Sequence, residues 1–154
     1  MQKVTPFIWF EKGAKEAADY YVSVFGGDSK ITNHTVMSET PSGTVEIVAM
    51  NLGGLNVTIM AAGPFQPINS AVSFVIDCAD QAEVDHYWAA LSASPSDEQC
   101  GWCKDKYGVV WQVVPRALNT LMSDPDRTKA MRVQQAMLKM KKIVVADLEA
   151  AYNQ

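Results

Sequence analysis

Histidine is scarce in this chain of 154 residues, which holds only His34 and His86. Imidazole chemistry, whether metal binding or proton transfer, is therefore confined to two positions. Cysteine is nearly as rare. The three thiols, Cys78, Cys100 and Cys103, are an odd count and too few for a disulfide scaffold, so reduced thiols and a cytoplasmic location are the expectation. Charge of one sign is never concentrated. Lysine and arginine total 13 against 17 aspartates and glutamates, for a net charge of −4. Nucleic acid and anionic membrane surfaces are accordingly not expected as partners. No apolar run reaches the length of a membrane-spanning helix, and Met1–Pro6 leads into a strand pattern without a signal-peptide apolar region.

Two further absences concern chemistry. A cofactor-binding methyltransferase usually has an acidic, glycine-rich loop leading from a strand into a helix of a doubly wound sheet. Here Gly26-Gly27 follows a helix and Gly53-Gly54 joins two strands, so no methyl-donor motif is present and no cofactor is expected. No Ser/His/Asp set can be assembled, and no carboxylate pair stands out as general acid and base. Catalytic residues are left unassigned, and whether the protein is an enzyme stays open.

What is present is regular. Val4–Phe10 is apolar and β-prone, with Pro6 limiting it to an edge or a strand start. Gly13–Phe25 carries Ala14, Ala17, Ala18, Tyr21, Val24 and Phe25 at helical spacing, closed by Gly26-Gly27. Lys30–Met37 alternates as a half-buried strand. After a turn at Glu39–Gly43, strands Thr44–Leu52 and Leu55–Ala61 flank the Gly53-Gly54 hairpin. The loop Gly63–Asn69 follows. The order then restarts, with strand Ala71–Cys78, Asp80 as N-cap with Glu83 three residues on, and helix Ala82–Leu91. Ser92–Gln99 reads as a loop or short strand, and a hairpin of Gly101–Lys106 with Val109–Val114 completes the half. The repeat period is roughly 65 to 70 residues, long enough for one supersecondary unit per half. The fold class is therefore α+β: two βαβββ modules, at about 1–62 and 70–115, forming a curved open sheet around a cleft. Edge strands in such a sheet need partners, which points to a homodimer. Beyond Pro115 lies a helical extension, 116–154, within the same single domain. It comprises a short helix to Met122, a longer one from Asp126 to about Lys141, and a last one over Ile143–Tyr152. The apolar stripe Ala130, Met131, Val133, Ala136, Met137 and Met140 on the middle helix reads as a docking surface.

One polar side chain, Gln112, interrupts the β-branched and aromatic run Val109–Val114. A buried amide needs a partner or a cavity, so Gln112 is the first residue to place in a pocket. By alternation, Trp111 faces the covering helix, and Trp88 belongs to the core. Cys100-Gly101-Trp102-Cys103 has the spacing of a redox dithiol, but it lies in a hairpin strand where side chains alternate between faces. The expectation is one buried thiol and one partly exposed, with Cys100 on the pocket rim.

Several segments together resemble a known family. These are Thr5–Phe10, Ala14–Tyr21, Ala71–Val75, Glu98–Trp102, Tyr107–Pro115, Ser123–Asp126 and Ala136–Ile143. They resemble the PhnB-like branch, described as 3-demethylubiquinone-9 3-methyltransferase-like, of the vicinal oxygen chelate superfamily, which includes glyoxalase I, bleomycin-resistance proteins and extradiol dioxygenases. The resemblance implies paired βαβββ modules and a dimer. Superfamily members with metal chemistry take His, Glu or Gln ligands from four strands, two per module. Carried onto this chain, those positions fall near Pro6, near Thr58 or Met60, at Ala71 with Ser73 nearby, and at Gln112. Only Gln112 could coordinate, and one amide does not hold a divalent ion. No metal is expected.

The resulting expectation is a binding protein with a metal-free cleft lined by Trp9, Thr58, Met60, Ser73, Cys100, Trp102 and Gln112. Aromatic walls with hydroxyls and an amide suit a small, partly aromatic or apolar molecule. The alternatives are a glyoxalase-type lyase or isomerase holding a metal through unexpected ligands, and an interaction module using the C-terminal helices.

Overall fold

Short alternating strands and one alanine-rich helix build the first half of the chain. The computed structural model describes residues 2–154, which divide into two compact units, one ending at Ile68 and the other beginning at Asn69. In the first unit, β1 (Phe7–Phe10) leads to α1 (Ala14–Phe25), then β2 (Lys30–Thr40), β3 (Gly43–Leu52) and β4 (Leu55–Ala61). The sheet order is β1-β4-β3-β2, with β1 parallel to β4 and the other pairs antiparallel. Val48, Met50, Val57 and Ile59 are buried, and they alternate along β3 and β4 on the face that α1 covers. Ala14, Ala17 and Ala18 are fully buried on α1, and their small side chains let the helix lie close to the sheet.

The first turn of α1 takes its cap from a neighbouring strand. Gly13, in the N-cap position, offers no side chain. Glu46 of β3 supplies the acceptor instead, through Oε2 to the Lys15 N–H at 3.0 Å. Its Oε1 lies 3.0 Å from His34 Nε2 of β2. A carboxylate at a helix N-terminus satisfies an orphan donor and complements the helix dipole, so Glu46 and His34 are explained by helix capping. Gly53 and Gly54, at φ 53° and 94°, form the left-handed pair that a two-residue hairpin demands.

The second unit begins with β5 (Phe74–Cys78) and α2 (Gln81–Leu91), passes a single 3₁₀ turn at Pro95–Asp97, and returns through β6 (Trp102–Lys104) and β7 (Val110–Pro115). β5 starts three residues later than the β-prone run predicts, because Ala71–Ser73 lie in a bend. The predicted cap is present: Asp80 Oδ1 accepts from the Glu83 N–H at 3.0 Å, and Glu83 Oε2 accepts from the Ala79 N–H at 2.7 Å. The sheet order is β5-β7-β6, so this half departs from the full βαβββ pattern in one respect. β6 and β7 correspond to β3 and β4, and the strand that would correspond to β2 is absent among the described residues. Ser92–Gln99 stands in its place. It meets β6 through Ala93 N–H to Lys104 O at 2.9 Å and through reciprocal Gln99–Trp102 backbone bonds at 2.8 and 3.1 Å.

After β7 the chain turns directly into α3 (Arg116–Met122), followed by α4 (Arg127–Met137) and α5 (Val145–Tyr152). These helices enclose a core of Leu118, Val133, Ile143 and Leu148, against which Met137 and Met140 pack. α4 stops at Met137, short of the expected Lys141. The reason is a competing use of the backbone: Met140 O and Lys141 O accept from the N–H groups of Cys100 and Gly101, both at 2.8 Å. A helix continued through Lys141 would not present those carbonyls sideways.

Candidate functional site

On the second unit's sheet, register assigns each side chain to a face. Trp111 pairs across from Phe74 and Cys103, while Gln112 pairs across from Val75 and Trp102. In the first set Trp111 and Cys103 are buried and Phe74 is half-buried. Trp111 packs on Phe74 with ring centroids 5.5 Å apart and donates its indole N–H to Asp105 Oδ2 at 2.8 Å. The second set lies on an open face, where Val75 is 62% and Trp102 36% exposed. Gln112 is half-buried there, and its Nε2 donates to Ser73 Oγ at 2.9 Å. Gln112, Ser73 and Trp102 are thus brought together, as the alternation of Val109–Val114 implied. Trp88, expected in the core, is only half-buried on α2, because Val84 and Leu91 occupy the inner face of that helix.

Cys100 adjoins this face. Cys100 and Gly101 are consecutive left-handed residues, at φ 51° and 84°. A Cβ on Gly101 would come within 3.0 Å of Val113 O and 3.2 Å of Ile143 Cγ1. The Cys-Gly-Trp-Cys segment is therefore where the helical extension docks. Cys103 is buried in β6 and Cys100 half-buried in the turn before it, so one thiol is buried and one partly exposed as expected, although Cys100 lies outside the strand. Burial, then the charges of Asp105 and Glu98, push the Cys103 thiol up to about 12. A thiol held neutral is a poor nucleophile, so the pair has no reactive thiolate at Cys103.

Beside Trp102, at the outer edge of β6, is a recess of about 450 Å³ lined by Ser70, Asp97, Gln99, Cys100, Trp102 and Lys104, among others. Lys104 Nζ donates to Asp97 Oδ1 at 2.8 Å, and Ser94 Oγ donates to Asp97 Oδ2 at 2.5 Å. Those two hydrogen bonds, the lysine's first, hold the Asp97 carboxyl below its usual range. Sequence reading missed Lys104, Asp97 and Gln99. The only signal was the polar character of Ser92–Gln99, which any loop shares.

The first unit gathers the other expected residues. Trp9 pairs with Met60, and Phe7 with Thr58, on the sheet face opposite α1. Trp9 donates its indole N–H to Gly63 O at 2.9 Å and meets Phe65 edge-on at 6.4 Å. Phe65, 60% exposed, was not foreseen, since a lone aromatic in a proline-rich loop carries no periodicity.

The donor set does not fit a divalent metal. Among the described residues no group of three or more His, Cys, Asp or Glu side chains could hold an ion. The Gln112 amide is engaged by Ser73, and Glu46 with His34 serves the α1 N-terminus. No helix is long and apolar enough to cross a membrane.

A sheet of mixed pairing under one helix in each half, with a polar group on the open face of the second, defines an α+β protein of the glyoxalase/bleomycin-resistance fold class. The chain belongs to the family described as 3-demethylubiquinone-9 3-methyltransferase, whose model matches residues 2–114. The match ends before the helical extension, so the segments Ser123–Asp126 and Ala136–Ile143 lie outside it. Among solved structures, the chain is similar to a PhnB protein from Bacillus cereus at 26% identity and a TM-score of 0.62, covering 74% of this chain and 99% of that one. It also resembles PA1353 of Pseudomonas aeruginosa, at 18% identity and TM-score 0.54 over 75% and 98% of the two chains. The genomically encoded fosfomycin resistance protein FosX from Listeria monocytogenes shares the fold at 12% identity and TM-score 0.50, over 72% and 89%. No curated protein matches the chain.

Proposed function

We propose that this protein binds a small, partly aromatic or apolar molecule without a metal ion. The observation that carries the reading is the Gln112–Ser73 pair beside Trp102 on the open face of the second sheet. An aromatic surface with an amide and a hydroxyl at hydrogen-bonding distance is what orients a flat ligand on an otherwise apolar wall. Trp9, Met60 and Thr58 form a second patch of the same kind on the first unit, and Cys100 borders the first patch. Methyl transfer finds no support in the residues: both glycine pairs lie where no strand runs into a helix, at the end of α1 and in the β3–β4 hairpin. The interaction-module reading has less support, because Met137 and Met140 are partly buried against the extension's own core, while Met131 is exposed. A second copy remains the proposed partner, since β2 is a long edge strand exposed along most of its length. Three unbridged thiols suit a reducing compartment.

The test is a thermal-shift screen of planar aromatic fragments against the wild type, Gln112→Ala and Trp102→Ala, with elemental analysis of the purified protein. Fragments that raise the wild-type Tm should lose most of that shift in both variants. Equal shifts in Gln112→Ala, or one transition-metal ion per chain, would overturn the reading.

A further inference from the structure

We infer that the recess at the outer edge of β6 takes the oxyanion of an aromatic acid whose ring lies on Trp102. The inference rests on the reading of the Gln112 face as a binding surface and names the chemical class of ligand.

The hydrogen-bonding groups of the recess are unevenly engaged. The carboxylate in the recess is engaged: Asp97 has one oxygen on Lys104 and the other on Ser94. The neighbouring Glu98 is engaged as well, through Ser92 at 2.7 Å and Lys141 at 3.2 Å. The donors are not. Among the described residues, the Lys104 ammonium donates to Asp97 alone, leaving two of its three N–H groups without a protein partner. The Trp102 indole N–H, the Gln99 amide and the Ser70 hydroxyl meet no protein acceptor there. The indoles of Trp9 and Trp111, by contrast, are tied to Gly63 O and Asp105. A part-engaged ammonium and an indole N–H without a protein acceptor, beside a half-exposed aromatic ring, suit a ligand that is acceptor-rich at one end and flat at the other. A carboxylate on a ring has that composition, and an ammonium makes its strongest hydrogen bonds to an ionised acceptor. The room arises from the fold: among the described residues the second sheet has no strand corresponding to β2, and a single 3₁₀ turn borders β6 instead. A volume of about 450 Å³ lies within the range of small-molecule sites.

The experiment titrates ¹⁵N-labelled protein with benzoate and, separately, with its neutral counterpart benzamide. The readouts are the Trp102 indole and the Gln99 and Lys104 amide signals. Benzoate should shift these signals saturably and bind at least tenfold more tightly than benzamide. Lys104→Met, which keeps the apolar stem, should abolish that preference. Asp97→Asn should tighten benzoate binding, because it frees the Lys104 ammonium from its ion pair; a merely structural Lys104 would give the opposite sign. Equal binding of the two fragments, unchanged benzoate affinity in Lys104→Met, or no saturable shift in the recess would each overturn the inference. Equal binding that still depends on Gln112 would leave the sheet-face reading standing, whereas binding indifferent to Gln112→Ala would remove that reading as well.

Discussion

Asp105 is 4% exposed, and its carboxylate is held by hydrogen bonds from its own turn and strand. Oδ1 accepts from the N–H groups of Tyr107 at 2.8 Å and Val109 at 3.0 Å, and Oδ2 from the Trp111 indole at 2.8 Å. One side chain thereby closes the β6–β7 turn and fixes the rotamer of the tryptophan behind Gln112. Removing it strands three donors in a buried turn, each unsatisfied buried group costing roughly 1–3 kcal/mol before water enters. Asp105→Ala is therefore expected to destabilise by about 3 kcal/mol, with Asp105→Asn intermediate, as read from urea midpoints. This residue was not legible in the sequence, because two of the donors it serves are backbone N–H groups that leave no mark there. Gln112 was legible for the opposite reason: a lone amide in a β-branched run contradicts its surroundings. The recess residues Lys104 and Asp97 fell between these cases. Ordinary charged side chains at a strand end and in a loop become a site only through the bond between them.

Elements were readable wherever a pattern ran for a full turn or a full pleat. The register of β3 with β4, the α2 cap and the presence of all three C-terminal helices follow from period and punctuation. The end of α4 did not follow, because carbonyls at positions 140 and 141 are claimed by Cys100 and Gly101, residues roughly 40 positions away that a local reading cannot see. Gly101 permits that junction twice over, by its backbone angle and by having no side chain. A pair of substitutions separates the two effects. Gly54→Ala, at φ 94° with nothing within 4 Å of the added methyl, incurs the backbone strain alone, whereas Gly101→Ala adds contacts at 3.0 and 3.2 Å. The first is expected to cost about 1 kcal/mol and the second at least about 2. Only Gly101→Ala should increase amide exchange in Val145–Tyr152, measured by hydrogen–deuterium exchange.

At the scale of the whole molecule, two buried thiols contribute to a loss of stability at alkaline pH. Burial, followed by neighbouring carboxylates, pushes Cys78 and Cys103 up to about 12, while an unfolded thiol ionises near 9. The unfolded chain thus sheds these protons first as pH rises. Their contribution is intact below about pH 9 and is lost progressively between 9 and 12. Cys103→Ala is expected to flatten that decline while lowering stability at neutral pH, which urea titrations at several pH values would show. The two-part organisation was legible from the restart of the strand–helix order near residue 70, but the missing strand was not. Its place is taken by a polar segment whose composition suits a loop and a short edge strand equally. The hydrogen bonds from Cys100 and Gly101 to Met140 and Lys141 also have a consequence in time. β6 and β7 are synthesised before residues 140 and 141, so the β6–β7 hairpin gains its last backbone partners only once the helical extension follows it. A chain cut back to residue 130 should keep that end of the sheet open to proteases, and restoring residues 140 and 141 should close it.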